Sequence, residues 1–318
     1  MKAYIAESKK EIGLFGEHSH KKEILFKKFS SIFELLRGAL IYDFKEFYEA
    51  KNILMRYDDR DNYINYGYWC DGQETRSPSA SLVQYVVSKL ELEEDDILLD
   101  VGSGLGQPDI DIIKTFPVKK IIGINVCSKQ VEYANDRFRS LNLDNTIKHR
   151  VLHSDKIADE LDTEGISCIV CIEAIEEISS IENFIRNAFN ILPHNGRISF
   201  CGVVRIKSDN LSFLRMLLGT FFRKITTILY GDHYRMLDIY GELLEKHGFK
   251  NIHHERIGKY VYPCLYRYAK KRLPILKQNK NIPFILKVFA FLQLHGINFL
   301  FAWKQIEYVV YYANKKEE

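Results

Sequence analysis

The chain has 318 residues, 46% of them hydrophobic, which is enough for one full core with a cap or small second unit left over. Its 45 basic and 42 acidic residues leave a net charge of +3, too balanced to argue for a nucleic-acid partner, although the C-terminal third is more basic than the middle and leaves room for a local basic surface. Six cysteines, with charged sequence rather than an apolar core behind Met1, predict reduced thiols in a cytoplasmic protein, and no apolar run reaches the roughly 20 residues that cross a bilayer.

Residues 1–22 read as a charged leader. Residues 23–57 read as one or two amphipathic helices, with Ile24, Leu25, Phe29, Ile32, Phe33, Leu36 and Leu40 at helical spacing. These helices either pack on the domain surface or form a lid over a ligand. Asp61 to Trp69 is aromatic and carries Gly67, so its pattern is neither helix nor strand. Residues 80–92 form a helix leading into a buried strand, Ile97 to Val101. Gly102, Gly104 and Gly106 then alternate, which lets the main chain pass close to a ligand where a Cβ would clash. The run from Ile110 to Phe116, with the polar pair Asp109 and Asp111, reads as a helix whose N-terminus faces that ligand. Strand, glycine loop and helix open a nucleotide-binding α/β unit. A dinucleotide fingerprint needs glycine at position 107, and Gln107 there speaks against an NAD-dependent oxidoreductase.

Lys119 to Val126 is the second strand, 128–141 the next helix, and Ile147 to Leu152 the third strand, followed by His153-Ser154-Asp155. Ile166 to Ile172 is the fourth strand. Cys168 and Cys171 lie three apart in it and point to opposite faces, which favours core packing over a metal or redox pair. The segment Cys171 to Ile178 leaves its carboxyl end, where ligands of open α/β sheets sit. A helix at 181–192, the turn Leu192-Pro193-His194-Asn195-Gly196-Arg197 and a strand from Ile198 to Val204 follow. Residues 205–232 are a strongly apolar insertion, read as a cap over the ligand site or as a membrane-surface helix making peripheral contact. A helix at 235–247, a strand at 250–257, two helices within 258–300 and a last strand from Ile306 to Ala313 close the chain. His253 and His254 alternate faces, and no His/Cys/Asp/Glu set has metal-ligand spacing.

In this order the pieces resemble the class I S-adenosylmethionine-dependent methyltransferases, in the small-molecule subgroup typified by sugar, polyketide, sterol and cyclopropane-synthase-like enzymes. The resemblance implies an α/β fold, a Rossmann-like doubly wound seven-stranded sheet with its last strand antiparallel. It divides the chain into a helical segment at 1–60, a cofactor-binding core at 61–204, a cap at 205–234 and the rest of the core with a helical acceptor-cavity insertion at 235–318. It implies S-adenosyl-L-methionine as cofactor, lying over Gly102, Ser103, Gly104 and Gly106 behind Asp100. Tyr66-Gly67-Tyr68-Trp69 matches the family stretch that folds across the cofactor, which makes Tyr66 and Trp69 its cover. Gly-Ile-Asn-Val matches the second strand, with Asn125 where an acid usually reads the ribose and Gln130 near the cofactor. Asp155 stands where the family reads the adenine amino group. Cys171 opens the segment that faces the sulfonium. There Glu173 matches the family glutamate, while the frequent histidine is replaced by Glu177, or by Glu176 in the cyclopropane-synthase register. These three acids are the candidate catalytic groups, either as a base or as stabilisers of a developing cation; alternatively Glu176 and Glu177 simply start the next helix. The implied reaction is in-line O- or C-methylation of a small apolar or amphipathic acceptor, such as a lipid, polyketide or glycosylated product. A non-catalytic scaffold on the same fold stays open at Asn125 and at the missing histidine.

Overall fold

The computed structural model describes residues 62–63, 65–69, 77–207, 212–226 and 235–316. The leader and the helices expected within 1–60 lie outside the described residues. Seven strands form one sheet: β1 (Ile97–Val101), β2 (Lys120–Asn125), β3 (Ile147–Val151), β4 (Ile166–Ile172), β5 (Arg197–Arg205), β6 (Lys250–Arg256) and β7 (Ile306–Asn314). Their order is β3-β2-β1-β4-β5-β7-β6. β1 to β5 pair in parallel, and β7 runs antiparallel to both of its neighbours. That reversed strand wedged between β5 and β6 departs from the dinucleotide-binding order, in which the sixth strand continues the parallel series.

The helices are α1 (Pro78–Ser88), α2 (Gln107–Thr115), α3 (Ser128–Ser140), α4 (Ile157–Glu160), α5 (Ile181–Ile191), α6 (Phe213–Thr226), α7 (Leu237–Lys246), α8 (Gly258–Gln278) and α9 (Phe284–Ala302). α1 starts earlier than its apolar periodicity suggests, because the Ser77 hydroxyl accepts from the Ala80 N–H and Pro78 sits just inside the start. α2 likewise begins at Gln107 rather than Ile110, with Gly106 as its N-cap. Strand alternation separates two apolar clusters: Cys168 and Val170 belong to one, Ile169 and Cys171 to the other. The two cysteines thus serve opposite sides of the sheet as packing groups.

At the amino end of the sheet a single carboxylate gathers three elements. Asp96 accepts from the Arg197 guanidinium at 2.5 and 2.6 Å, from the Ser167 hydroxyl at 2.6 Å and from the Glu93 N–H at 2.7 Å. Asp96→Ala leaves a half-buried guanidinium and a hydroxyl without their acceptor, and is expected to cost about 3 kcal/mol, read as a lower melting temperature in a thermal scan. Asp96→Asn keeps two of the acceptor contacts and is expected to cost less.

On the other side, α6 packs against α9 through Phe222 and Phe299, whose rings are 5.5 Å apart. Gln305 pins α6 to the turn before β7: its amide donates to the Arg215 carbonyl at 3.3 Å and accepts from Arg223 at 3.3 Å. A Cβ at Gly219 would run into that amide, so a larger residue there would push the Gln305 side chain out of these bonds. No helix among the described residues is long and apolar enough to cross a membrane.

Candidate active site

The carboxyl ends of β1, β2, β4 and β5 converge on the glycine loop. Gly102, Gly104 and Gly106 have φ of +83°, +54° and +74°, the left-handed region that side chains avoid. The loop is fastened to β2, because the Gly102 and Ser103 N–H groups both donate to the Ile124 carbonyl, at 2.9 and 3.1 Å. α2 starts directly behind it, with Gly106 as its N-cap and Pro108 in its first turn, so its N-terminus, the positive end of the helix, adjoins the loop. The Asp100 carboxyl is buried beneath, and burial together with the charge of the neighbouring Asp109 pushes it well above the usual carboxylate range.

The acid segment lies against this loop. A Cβ at Gly102 would overlap the Ala174 Cβ, so the first loop glycine and the residue after Glu173 are in direct contact. Glu173 itself has φ of +52°, and its N–H donates to the Cys201 carbonyl of β5 at 3.1 Å. Its Oε1 accepts from the Tyr66 N–H at 2.7 Å and from the Tyr308 hydroxyl at 2.6 Å. The Tyr308 hydroxyl also lies 3.4 Å from the Cys201 Sγ. A carboxylate oxygen from just past β4, a phenol from β7 and a thiol from the middle of β5 thus stand together beside the carboxyl end of β4. The adjacent acids separate: Glu177 is exposed, whereas Glu176 turns back under the sheet and accepts from the Val203 N–H. Burial pushes Glu176 up to about 8, with the Glu173 and Glu177 charges adding to the rise. The Cys171 thiol is wholly buried in the core and raised far above its ordinary value by desolvation.

Two further candidates sit on the β2 and β3 side. The Asn125 amide donates to Gln130 Oε1 at 2.7 Å and accepts from the Cys127 N–H at 3.2 Å. Asp155 holds the Ser179 hydroxyl with one oxygen at 3.1 Å, while its other oxygen is buried without a hydrogen-bond partner. An acceptor shut from water and left unfilled costs free energy unless a donor reaches it. The site therefore offers a glycine cradle, an amide pair and an unsatisfied carboxylate oxygen, groups that suit a nucleoside carrying an amino group.

The family model for mycolic acid cyclopropane synthetase matches residues 67–306, three-quarters of the chain. The chain belongs to the mycolic acid cyclopropane synthetase family. That family consists of S-adenosylmethionine-dependent methyltransferases. The chain is similar to 27-O-demethylrifamycin SV methyltransferase of Amycolatopsis mediterranei, at 27% identity over 137 residues, 43% of this chain and 49% of that protein. It is also similar to the sterol 24-C-methyltransferase of Candida albicans, at 24% identity over 42% of this chain and 35% of that protein. The chain spans about half the length of the curated relatives it matches first. Among solved structures, the cyclopropane synthase MmaA2 of Mycobacterium tuberculosis superposes with a TM-score of 0.66 over 84% of this chain and 98% of that one, at 16% identity, a likeness of fold.

Within this cyclopropane-synthetase-family fold, the aromatic stretch before β1 is bound differently from what its side chains suggest. Tyr66 meets the site through its main-chain N–H on Glu173, and its ring lies 6.4 Å from that of Tyr308. Trp69 is only 4% exposed, its ring packs 5.7 Å from that of Tyr268, and its main-chain N–H donates to the Tyr260 carbonyl at 3.0 Å. The stretch therefore ties α8 to the acid segment. Ser103 turns its hydroxyl inward, 3.1 Å from the His149 ring, so its side chain points away from the cradle. Tyr308 and Cys201 were missing from the sequence-based site. Each looks like one more apolar position of a buried strand, and the only cue is that an alternating strand brings a hydroxyl and a thiol to the same face.

Proposed function

We propose that the chain transfers a methyl group from S-adenosyl-L-methionine to a small, apolar or amphipathic acceptor at a hydroxyl or a carbon. The observation that carries this reading is the contact between Gly102 and Ala174, which sets the donor cradle directly against the Glu173–Tyr308–Cys201 cluster. S-adenosyl-L-methionine supplies an electrophilic methyl on a sulfonium. Gly102 to Gly106 hold the amino-acid half, Asn125 and Gln130 read the ribose hydroxyls, and the open Asp155 oxygen accepts from the adenine amino group. Catalysis then rests on positioning, with acceptor and methyl held in line at about 3 Å.

The acid segment divides its duties. Glu173 is tied by two donors to one oxygen, so it works as a fixed charge that favours a cation developing on the acceptor. Glu176, held near 8 by burial, is suited to take a proton when the acceptor is a hydroxyl. Aromatic groups extend from Tyr308 to Tyr262 at 6.2 Å and on to Phe301 at 4.9 Å, a wall that suits an apolar acceptor. α6 is the cap in this reading, closing the acceptor side with α9. The similarity to 27-O-demethylrifamycin SV methyltransferase and to a sterol 24-C-methyltransferase supports both acceptor atoms.

The test is a metabolite extract incubated with the protein and S-adenosyl-L-methionine, read by mass spectrometry. One or a few metabolites gain about 14 Da, one methylene, and Glu173→Ala lowers that product at least about tenfold. Binding of the cofactor without any methylated product would point to a scaffold instead.

A further inference from the structure

Under the glycine loop lies a buried chain of polar groups that no step above uses. His149 on β3 has its Nδ1 3.1 Å from the Ser103 Oγ and its Nε2 2.5 Å from the Asp109 Oδ2. The side chains of His149 and Asp109 are both wholly buried, and Ser103 is 2% exposed. Ser103 is the second residue of the loop, and Asp109 belongs to the first turn of α2, just past its last glycine. The imidazole therefore bridges the two ends of the loop from behind.

The ring is itself held from every side. A Cβ at Gly123 of β2 would collide with it, so the imidazole occupies space that only glycine leaves open. The Asn135 amide clamps the main chain of His149, accepting from its N–H at 2.9 Å and donating to its carbonyl at 3.0 Å. Phe138 meets the ring edge-on at 4.8 Å. Serine, histidine and aspartate in this sequence of bonds resemble a nucleophilic triad. Here, however, no member reaches solvent, and the Ser103 Oγ also lies 3.4 Å from the Ile124 carbonyl. An acyl group has no way in, so the chain of bonds can act only by holding its two ends. Burial keeps the imidazole neutral, down to about 4, so one ring nitrogen donates while the other accepts and both bonds form at once.

We propose that His149 is a positioning residue: by joining Ser103 to Asp109 it holds the glycine loop in the shape that receives the methyl donor. The proposal rests on the reading that this loop is the donor site. Without the bridge, the three left-handed residues would be held only by the main-chain bonds from Gly102 and Ser103 to Ile124, the bond from the Gly106 N–H to the Ser103 carbonyl, and the Arg137 guanidinium on the Leu105 carbonyl.

Two readouts separate this role from simple stability. The first is amide hydrogen exchange of residues 102–106 in the ligand-free protein. The second is calorimetric titration with S-adenosyl-L-methionine, well below the melting temperature. His149→Leu breaks both bonds; Ser103→Ala removes one oxygen from the loop end and keeps the His149–Asp109 pair, so it serves if the leucine variant does not fold. Asp109→Asn keeps an acceptor for a ring N–H. The first two variants are expected to speed loop exchange and to raise Kd about tenfold or more, and Asp109→Asn to stay within about threefold of wild type. Folded His149→Leu or Ser103→Ala protein with wild-type exchange and wild-type Kd would overturn the proposal, even with a lowered melting temperature. Faster loop exchange in the variants, with no titration signal from wild type, would support the bridge while overturning the donor-site reading.

Discussion

Gly102→Ala is expected to remove measurable binding of S-adenosyl-L-methionine, raising Kd at least about a hundredfold in an isothermal titration. Two costs coincide at this residue. Its φ of +83° is one that a side chain adopts only with a penalty of about 1–2 kcal/mol. The added methyl would also overlap the Ala174 Cβ, so either the loop or the acid segment must move. Both are parts of the proposed site, and any such shift alters the cradle. Gly165→Ala is the matched control. Gly165 has φ of +77° and lies beside Ile97 at the opposite end of the sheet. It should show a comparable backbone penalty in its melting temperature and an unchanged Kd. Equal affinity losses in both variants would mean that backbone strain alone, and not the loop's contact with Ala174, governs binding.

Glu176→Gln should change both stability and rate in a way that depends on pH. Burial raises the folded-state value of Glu176 to about 8, against an ordinary value of 4.5 for the unfolded chain. Between these values the folded protein binds the extra proton, so stability is highest at low pH and falls as pH rises towards 8. At about 1.4 kcal/mol per pH unit, the loss attributable to this group is on the order of 5 kcal/mol across the window. Glutamine does not titrate, and its oxygen can still accept from the Val203 N–H. The variant should therefore melt above wild type at pH 8 and lose most of that advantage at pH 5. If the acceptor is a hydroxyl, the same substitution should lower the rate about a hundredfold and abolish a rate limb that rises towards pH 8. A melting-temperature difference that does not vary with pH would show that Glu176 is not held protonated.

Much of the fold could be read from pattern alone. β1, β2, β4 and β5 are short, mostly apolar runs, β1 closed by Gly102, and the reversed seventh strand followed from the family resemblance. Helix starts were less legible: Ser77-Pro78 and Gly106-Gln107-Pro108 set them through capping and proline geometry, ahead of the apolar periodicity. The site divided in the same way. Glycines reveal themselves by spacing, and Glu173 by its place after β4. Which of Glu176 and Glu177 is buried depends on the short turn Ile175–Glu177, which sends one under β5 and the other to solvent. Tyr308 lies 135 residues from Glu173, and His149 lies 40 from Asp109 and 46 from Ser103. Such partners are polar groups inside apolar strands, and only the strand order shows that they meet.

The central claim is that one crevice, between the glycine loop and the Glu173 segment, holds the donor. A crystal structure of the protein with S-adenosyl-L-homocysteine tests it most directly. The prediction is density along Gly102 to Gly106, with the ribose at Asn125 and Gln130, the adenine amino group on the free Asp155 oxygen and the sulfur directed towards Glu173. Density elsewhere on the molecule, with this crevice unchanged, would contradict it.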